Sequence, residues 1–170
     1  MDVTYCTVEK IKEITAIVKT VDPSYIEPHI ENSEILEISP ILGCALDTQL
    51  KGEILDGTLS GLNETLVDDY IVPCSAWYSY HNAIPFLAIK SFNKGLVRQG
   101  SDNSTPASLE EIRFMQQSVS DIATSMANRL IDYLNNNEAL YPNYRTGSSA
   151  DGCDCSPKST KHFAGGIYLG

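Results

Sequence analysis

The sequence predicts a mainly α fold: a helical bundle of about five helices with a long C-terminal helix, a small β-hairpin insertion and an extended C-terminal arm. Three observations carry this. Residues 108–133 repeat apolar side chains every three or four positions, the period of a helix face. Four shorter segments before them, divided by Gly and Pro, show the same period. Residues 86–99 switch to a strand-like pattern around a turn, and nothing after Tyr144 has any period at all.

In chain order, Thr7 is placed to cap a first helix running to about residue 19, with Ile11, Ile14, Ile17 and Val18 turned inward. Asp22-Pro23 reads as a cap followed by a first-turn proline. The second helix is expected to start near Pro28 and to end before Pro40, because an interior proline lacks the N–H a helix needs. On it Ile30, Leu36 and Ile38 face inward, and Glu27, Glu31, Glu34 and Glu37 face water. Gly43 breaks the chain. A third helix over residues 44–56 rests on Leu46, Leu50 and Ile54, and a loop with two glycines covers 57–63. The fourth helix, about 64–84, carries Tyr70, Cys74, Trp77, Tyr78 and His81; Pro73 inside it predicts a kink or a break into two pieces.

The hairpin follows at about 86–99. Residues 86–92 are strand-like, Asn93-Lys94-Gly95 is a turn signal, and 96–99 form the return strand. A two-stranded hairpin is barely stable alone, so it is expected to lean on the helices or on another subunit. The long helix then opens with Ser108 as cap and Glu111 three residues on, a capping box, with Glu110 and Glu111 favoured by the helix dipole. Its seam is read as Ile112, Met115, Val119, Ile122, Met126, Leu130 and Tyr133, with Arg113, Gln117, Asp121 and Asn128 opposite. Asn135-Asn136-Asn137 weakens it and Pro142 closes it. At about thirty residues it would span about 45 Å, more than a small bundle requires.

Residues 1–144 are therefore taken as the helical body and 145–170 as the arm. The arm is small, polar and glycine-rich, and it finishes in an apolar tip with Phe163, Ile167, Tyr168 and Leu169. That tip calls for a partner to receive it.

Charge narrows the function. The first 71 residues hold fourteen acids and four lysines, and the remaining 99 hold eight of each sign, so the net charge of −10 lies in the N-terminal half. That argues against reading a nucleic-acid sequence, which needs a basic face. It suits a surface past which DNA slides without sticking. No apolar run is long enough for a membrane span, and no leader opens the chain, so synthesis in a reducing cytoplasm is expected. Cys44 and Cys74 then read as small reduced hydrophobes in helices.

No catalytic constellation emerges, and the chain is read as a non-enzyme without cofactor or metal. His29, His81 and His162 are scattered. Cys74 and His81 share a helix face but sit about 10 Å apart along it, too far for a nucleophile and its base. Cys153, Cys155 and His162 offer thiolates and an imidazole, yet a zinc site usually wants a second ligand pair. They support one alternative reading: a small soluble bacterial binding module or enzyme subunit with a metal site in the arm. Lys90, Lys94 and Arg98 give the hairpin three positive charges, either guarding a strand edge or contacting an acidic neighbour or DNA.

Several segments stand in a familiar order. They are Tyr25-Ile26-Glu27-Pro28-His29-Ile30, Glu37-Ile38-Ser39-Pro40-Ile41-Leu42-Gly43-Cys44-Ala45-Leu46, and Tyr70-Ile71-Val72-Pro73-Cys74-Ser75-Ala76-Trp77. Asn93-Lys94-Gly95-Leu96-Val97, Asn103-Ser104-Thr105-Pro106-Ala107-Ser108 and Asn128-Arg129-Leu130-Ile131-Asp132-Tyr133-Leu134 follow. Over residues 4–144 the chain resembles the head-to-tail connector (adaptor or head-completion) proteins of tailed phages, in the form found in crAss-like phages. The resemblance implies a virion protein, assembled in the host cytoplasm, that forms a ring of commonly twelve copies on the portal protein. Such a ring extends the channel for double-stranded DNA, reads no sequence, and carries further neck or tail proteins through which the genome is ejected.

Overall fold

The computed structural model describes residues 3–92, 95–98, 107–144 and 157. Among them five helical rods make the body, so the mainly α architecture with a long C-terminal helix holds. The first rod, α1 (Val8–Ile14), starts where Thr7 accepts a hydrogen bond from the Lys10 amide. It ends five residues earlier than expected. Thr15 turns extended, and its hydroxyl and amide both donate to the Ile11 carbonyl, closing the last turn. Ile11 is fully buried, whereas Val18, expected inside, is 63% exposed.

After a 3-10 turn at Pro23–Tyr25, capped by the Asp22 carboxylate, the second rod runs through three pieces. These are α2 (Glu27–Ser33), a π turn (Glu34–Ile38) and α3 (Ser39–Leu42). It therefore does not stop before Pro40. The fourth rod repeats the device: α5 (Gly61–Leu66), a π turn (Val67–Ile71) and α6 (Val72–Ala88). Pro73 neither divides this rod nor ends it.

Each π turn stands just before a proline, Pro40 in one rod and Pro73 in the other. Proline drives its ring against the carbonyl four residues back and has no N–H to offer it. A π turn, bonded five residues apart, widens the backbone at that point. In both rods the turn ends two residues before the proline, with Ser39 N–H donating to Glu34 O and Val72 N–H to Val67 O. The carbonyl facing Pro73 is that of Asp69, and Arg129 on the long helix donates to it (3.1 Å).

The wider turn also changes which residues face inward. Steps of four now stay on one face, so Ile30, Glu34 and Ile38 are all buried, as are Val67 and Ile71. Glu34, expected in water, is thus 2% exposed, and Leu36, expected inside, is 63% exposed.

Between these rods lies α4 (Cys44–Asp56), with the expected bounds and with Leu46 and Leu50 buried. Gly43 at its start (φ 75°) and Gly57 at its end (φ 66°) take conformations that side chains disfavour, which is why the helix begins and stops there. Residues Phe86, Leu87 and Ala88, expected in a strand, continue α6 instead. Strands β1 (Ile89–Phe92) and β2 (Gly95–Arg98) pair antiparallel, Ile89 opposite Arg98 and Phe92 opposite Gly95.

The long helix α7 (Leu109–Asn136) packs antiparallel on α6. Ser108 and Glu111 form the full capping box: the Ser108 hydroxyl accepts from Glu111 N–H, and Ser108 N–H donates to the Glu111 carboxylate (2.7 Å). Its buried line is Val119, Ala123, Ala127, Leu130, Ile131 and Leu134. The expected seam is therefore corrected. Met115 and Ile122 are exposed, and two fully buried alanines, Ala123 and Ala127, take the centre.

Beyond a 3-10 turn (Glu138–Leu140), Tyr141 and Tyr144 return to the core. Tyr141 donates to Leu62 O (3.0 Å) and Asn143 to Gln49 Oε1 (2.8 Å). The expected arm over 145–170 lies outside the described residues.

Candidate functional site

Two places in the body carry more than packing. The first is a buried polar network between the N-terminal segment, the first π turn and α6. Oε1 of Glu34 accepts from Tyr5 N–H (2.8 Å), Cys6 N–H (3.2 Å) and the Ser75 hydroxyl (3.1 Å). Ser79 donates to Ser75 O, and its oxygen lies 2.8 Å from that of Ser33. Ser33, Glu34, Ser75 and Ser79 are all buried, so one connected network holds them. Burial pushes the Glu34 carboxyl up to about 7, against the lowering by its three donors and by nearby Lys51.

The tail is fixed at a second point. Tyr5 donates to Asp47 Oδ1 (2.7 Å), while Ser39 and Lys51 reach Asp47 Oδ2 at 3.1 and 3.3 Å. Beside Glu34 opens a cleft of about 500 Å³ bordered by Glu31, Thr48, Lys51 and Leu55. No nucleophile stands at it. Cys6, the nearest thiol, is buried and pushed up to about 12 by burial, with the Glu34 charge adding to the shift, so it is an inert thiol at neutral pH. The network is best understood as a clamp that pins the first residues to the bundle.

The second place is the N-terminal third of α7. Leu109 (54%), Phe114 (77%) and Met115 (44%) are exposed there, on the same helix that carries the buried line from Val119 to Leu134. Phe114 points away from α6. On the α6 side, Ile84, Leu87, Ala88, Ala107, Ile112 and Met115 border an open cleft of about 300 Å³ that is almost wholly apolar. Glu111 stands at its rim. These three exposed apolar residues and the cleft beside them make this end of α7 a candidate contact surface.

The residues singled out from the sequence fall elsewhere. Lys90 and Arg98 lie on β1 and β2, opposite Val97 and Ile89 respectively. Lys94 lies outside the described residues, as do Phe163, Ile167, Tyr168 and Leu169 of the tip and Cys153, Cys155 and His162. Cys74 and His81 are not brought together as a pair. Cys74 is buried with its thiol pushed upward by burial, and His81 Nδ1 sits 3.2 Å from Asn82 Oδ1. His29 stacks near Phe86, ring centroids 4.8 Å apart, and burial holds it below its usual range. Cys44 departs from the reduced, helix-buried thiol expected: it is exposed and disulfide-bonded. No group of three or more His, Cys, Asp or Glu suited to a metal ion occurs among the described residues, and no helix among them is long and apolar enough to cross a membrane.

Sequence reasoning missed Glu34 because a three-to-four spacing of acids (27, 31, 34, 37) looks like a wet face. The signal that could have found it is Pro40 six residues on, next to the wider turn that places Glu34 inside. The exposed end of α7 was legible only as excess length.

No curated relative and no solved structure matches the chain. The profile of one family covers 116 of its 170 residues, from the end of the first π turn through α7 and the start of the arm, at residues 38–153. The chain belongs to that family, a family of unknown function (DUF6712).

Proposed function

We propose that this chain is a structural subunit of the neck of a tailed phage, forming a ring, of twelve copies by the resemblance, that sits on the portal and extends the DNA channel. The observation that best supports this reading is the division of α7. Its lower two thirds complete the core of one subunit, and its upper third presents Leu109, Phe114 and Met115 to whatever stands beside it. A ring of identical copies needs such a surface on every subunit, turned toward the next in a head-to-tail contact.

Charge agrees with the reading. The acidic N-terminal half, placed toward a channel, would repel phosphate and keep DNA from sticking. The hairpin, with Lys90, Lys94 and Arg98, is the element offered for an acidic neighbour or the DNA backbone. The arm with its tip at Phe163, Ile167, Tyr168 and Leu169 serves attachment to a further neck or tail protein.

The test is mass in solution with and without portal rings from the same virion. The expected result is a stoichiometric ring added to the portal, seen by native mass spectrometry or electron microscopy. A chain that stays monomeric in the presence of portal contradicts the proposal. A free monomer without portal does not, because a ring can form on its template alone.

A further inference from the structure

The exposed end of α7 has a counterpart elsewhere on the same chain. We infer that Leu109 and Phe114 of one copy dock in the groove between the second rod and α4 of the next copy, against Ile35, Gly52 and Leu55. The inference rests on the head-to-tail contact of the ring reading and names the surface that receives it.

The groove is the open cleft of about 500 Å³ beside Glu34. Ile35 stands on one wall, 55% exposed, and Leu55 on the other, 71% exposed. Thr48, Gly52 and Leu55 line it together, since residues three and four apart share a helix face. Nothing within the subunit requires a glycine at position 52. Its φ is not positive, unlike those of Gly43, Gly57 and Gly61, and a Cβ built on it meets nothing within 4 Å. Glycine is the poorest interior helix residue after proline. A glycine that faces open space from a helix interior, between two exposed apolar side chains, suits the close approach of another backbone.

The occupant is a second copy. Leu109 and Phe114 are held on α7, and α6 packs against both α7 and α2, so a subunit cannot bring its own helix end to its own groove. Charge pairs the two surfaces. At helical spacing Glu110 and Arg113 lie between Leu109 and Phe114 on one face. Glu31 and Lys51 stand on opposite walls of the groove. Among the described residues neither Glu31 nor Arg113 has an ion pair, and both are exposed. Docking sets Arg113 toward Glu31 and leaves Glu110 for the wall of Lys51. Two unlike surfaces that meet give a head-to-tail contact, which propagates around a ring; like meeting like would stop at a dimer.

The test uses the full chain with a photoreactive benzophenone amino acid in place of Phe114, mixed as equal parts of ¹⁴N- and ¹⁵N-labelled protein. It is irradiated on portal rings and, in parallel, as the concentrated chain without portal. Mass spectrometry is expected to find mixed-isotope adducts on peptides carrying Glu31, Ile35, Gly52 or Leu55. Gly52→Leu fills the groove at a position open within the subunit. It is expected to leave the thermal midpoint unchanged or raised and to lower adduct yield about tenfold or more. A charge swap tests the contact without altering its packing: Glu31→Arg lowers the yield, and adding Arg113→Glu restores it. Groove adducts from a chain that never loads the portal would support the inference and sink the portal reading. A ring on the portal whose adducts fall elsewhere would sink the inference alone. Adducts within one isotope, adducts between two copies of α7, no adducts, or a yield indifferent to both Gly52→Leu and the swap would each overturn the inference.

Discussion

The two parts of α7 are the same helix with opposite fates. Between Val119 and Leu134 every residue of its buried line is 5% exposed or less; between Leu109 and Met115 three large apolar residues stand 44–77% exposed. Periodicity cannot separate them, since apolar residues recur at helical spacing throughout. What differs is the surface opposite. Along the lower part the helix packs on α6 and on the second π turn. Tyr70 stacks on Tyr133 with centroids 4.0 Å apart, and Arg129 lies over Tyr70 at 4.5 Å. Toward the upper part the helices leave a cleft instead. Folding uses the first surface and leaves the second exposed.

That contrast can be broken from either side. The largest effect is expected in the seam: Leu130→Ala removes a fully buried side chain and should lower stability by about 2–5 kcal/mol in urea denaturation. Ala127→Leu, forcing bulk into a fully buried position, should cost about 1–3 kcal/mol. Substitution of Phe114 in the upper part should leave stability within about 0.5 kcal/mol.

The Glu34 clamp gives a pH signature. Its carboxyl is raised from 4.5 to about 7 in the folded chain, so the fold favours the protonated form. The stabilisation is fully present below about pH 4.5 and is lost as pH rises through 7, an effect of order 3 kcal/mol at most. Glu34→Gln keeps an acceptor for Tyr5 and Cys6 and should flatten that slope; a slope that persists in the variant would locate the titration elsewhere. A smaller effect than these is expected for the contact at the second π turn. Arg129→Ala removes the donor to Asp69 O and the contact over Tyr70, at an exposed site, for about 0.5–1 kcal/mol by thermal denaturation.

Much of the fold was legible because its signals are local. The Thr7 and Ser108 caps, the bounds of α4 and the stop at Asn135-Asn136-Asn137 depend on a few neighbouring residues. The π turns were not, since Pro40 and Pro73 read locally as helix breakers and only the rest of the bundle shows that the rods continue through them. That single misreading hid Glu34. The seam of α7 was misplaced for a related reason: Ala123 and Ala127 carry little hydrophobic signal, yet both are fully buried in the bundle. The upper end of α7 showed in the sequence as length without a use.

The most direct test of this division is Phe114→Asp, read in two ways on one preparation: the denaturation midpoint of the free chain, and the mass of the assembly formed on portal rings. The account predicts an unchanged midpoint and loss of the ring. A ring that forms with wild-type stoichiometry, or a chain that no longer folds, would contradict it.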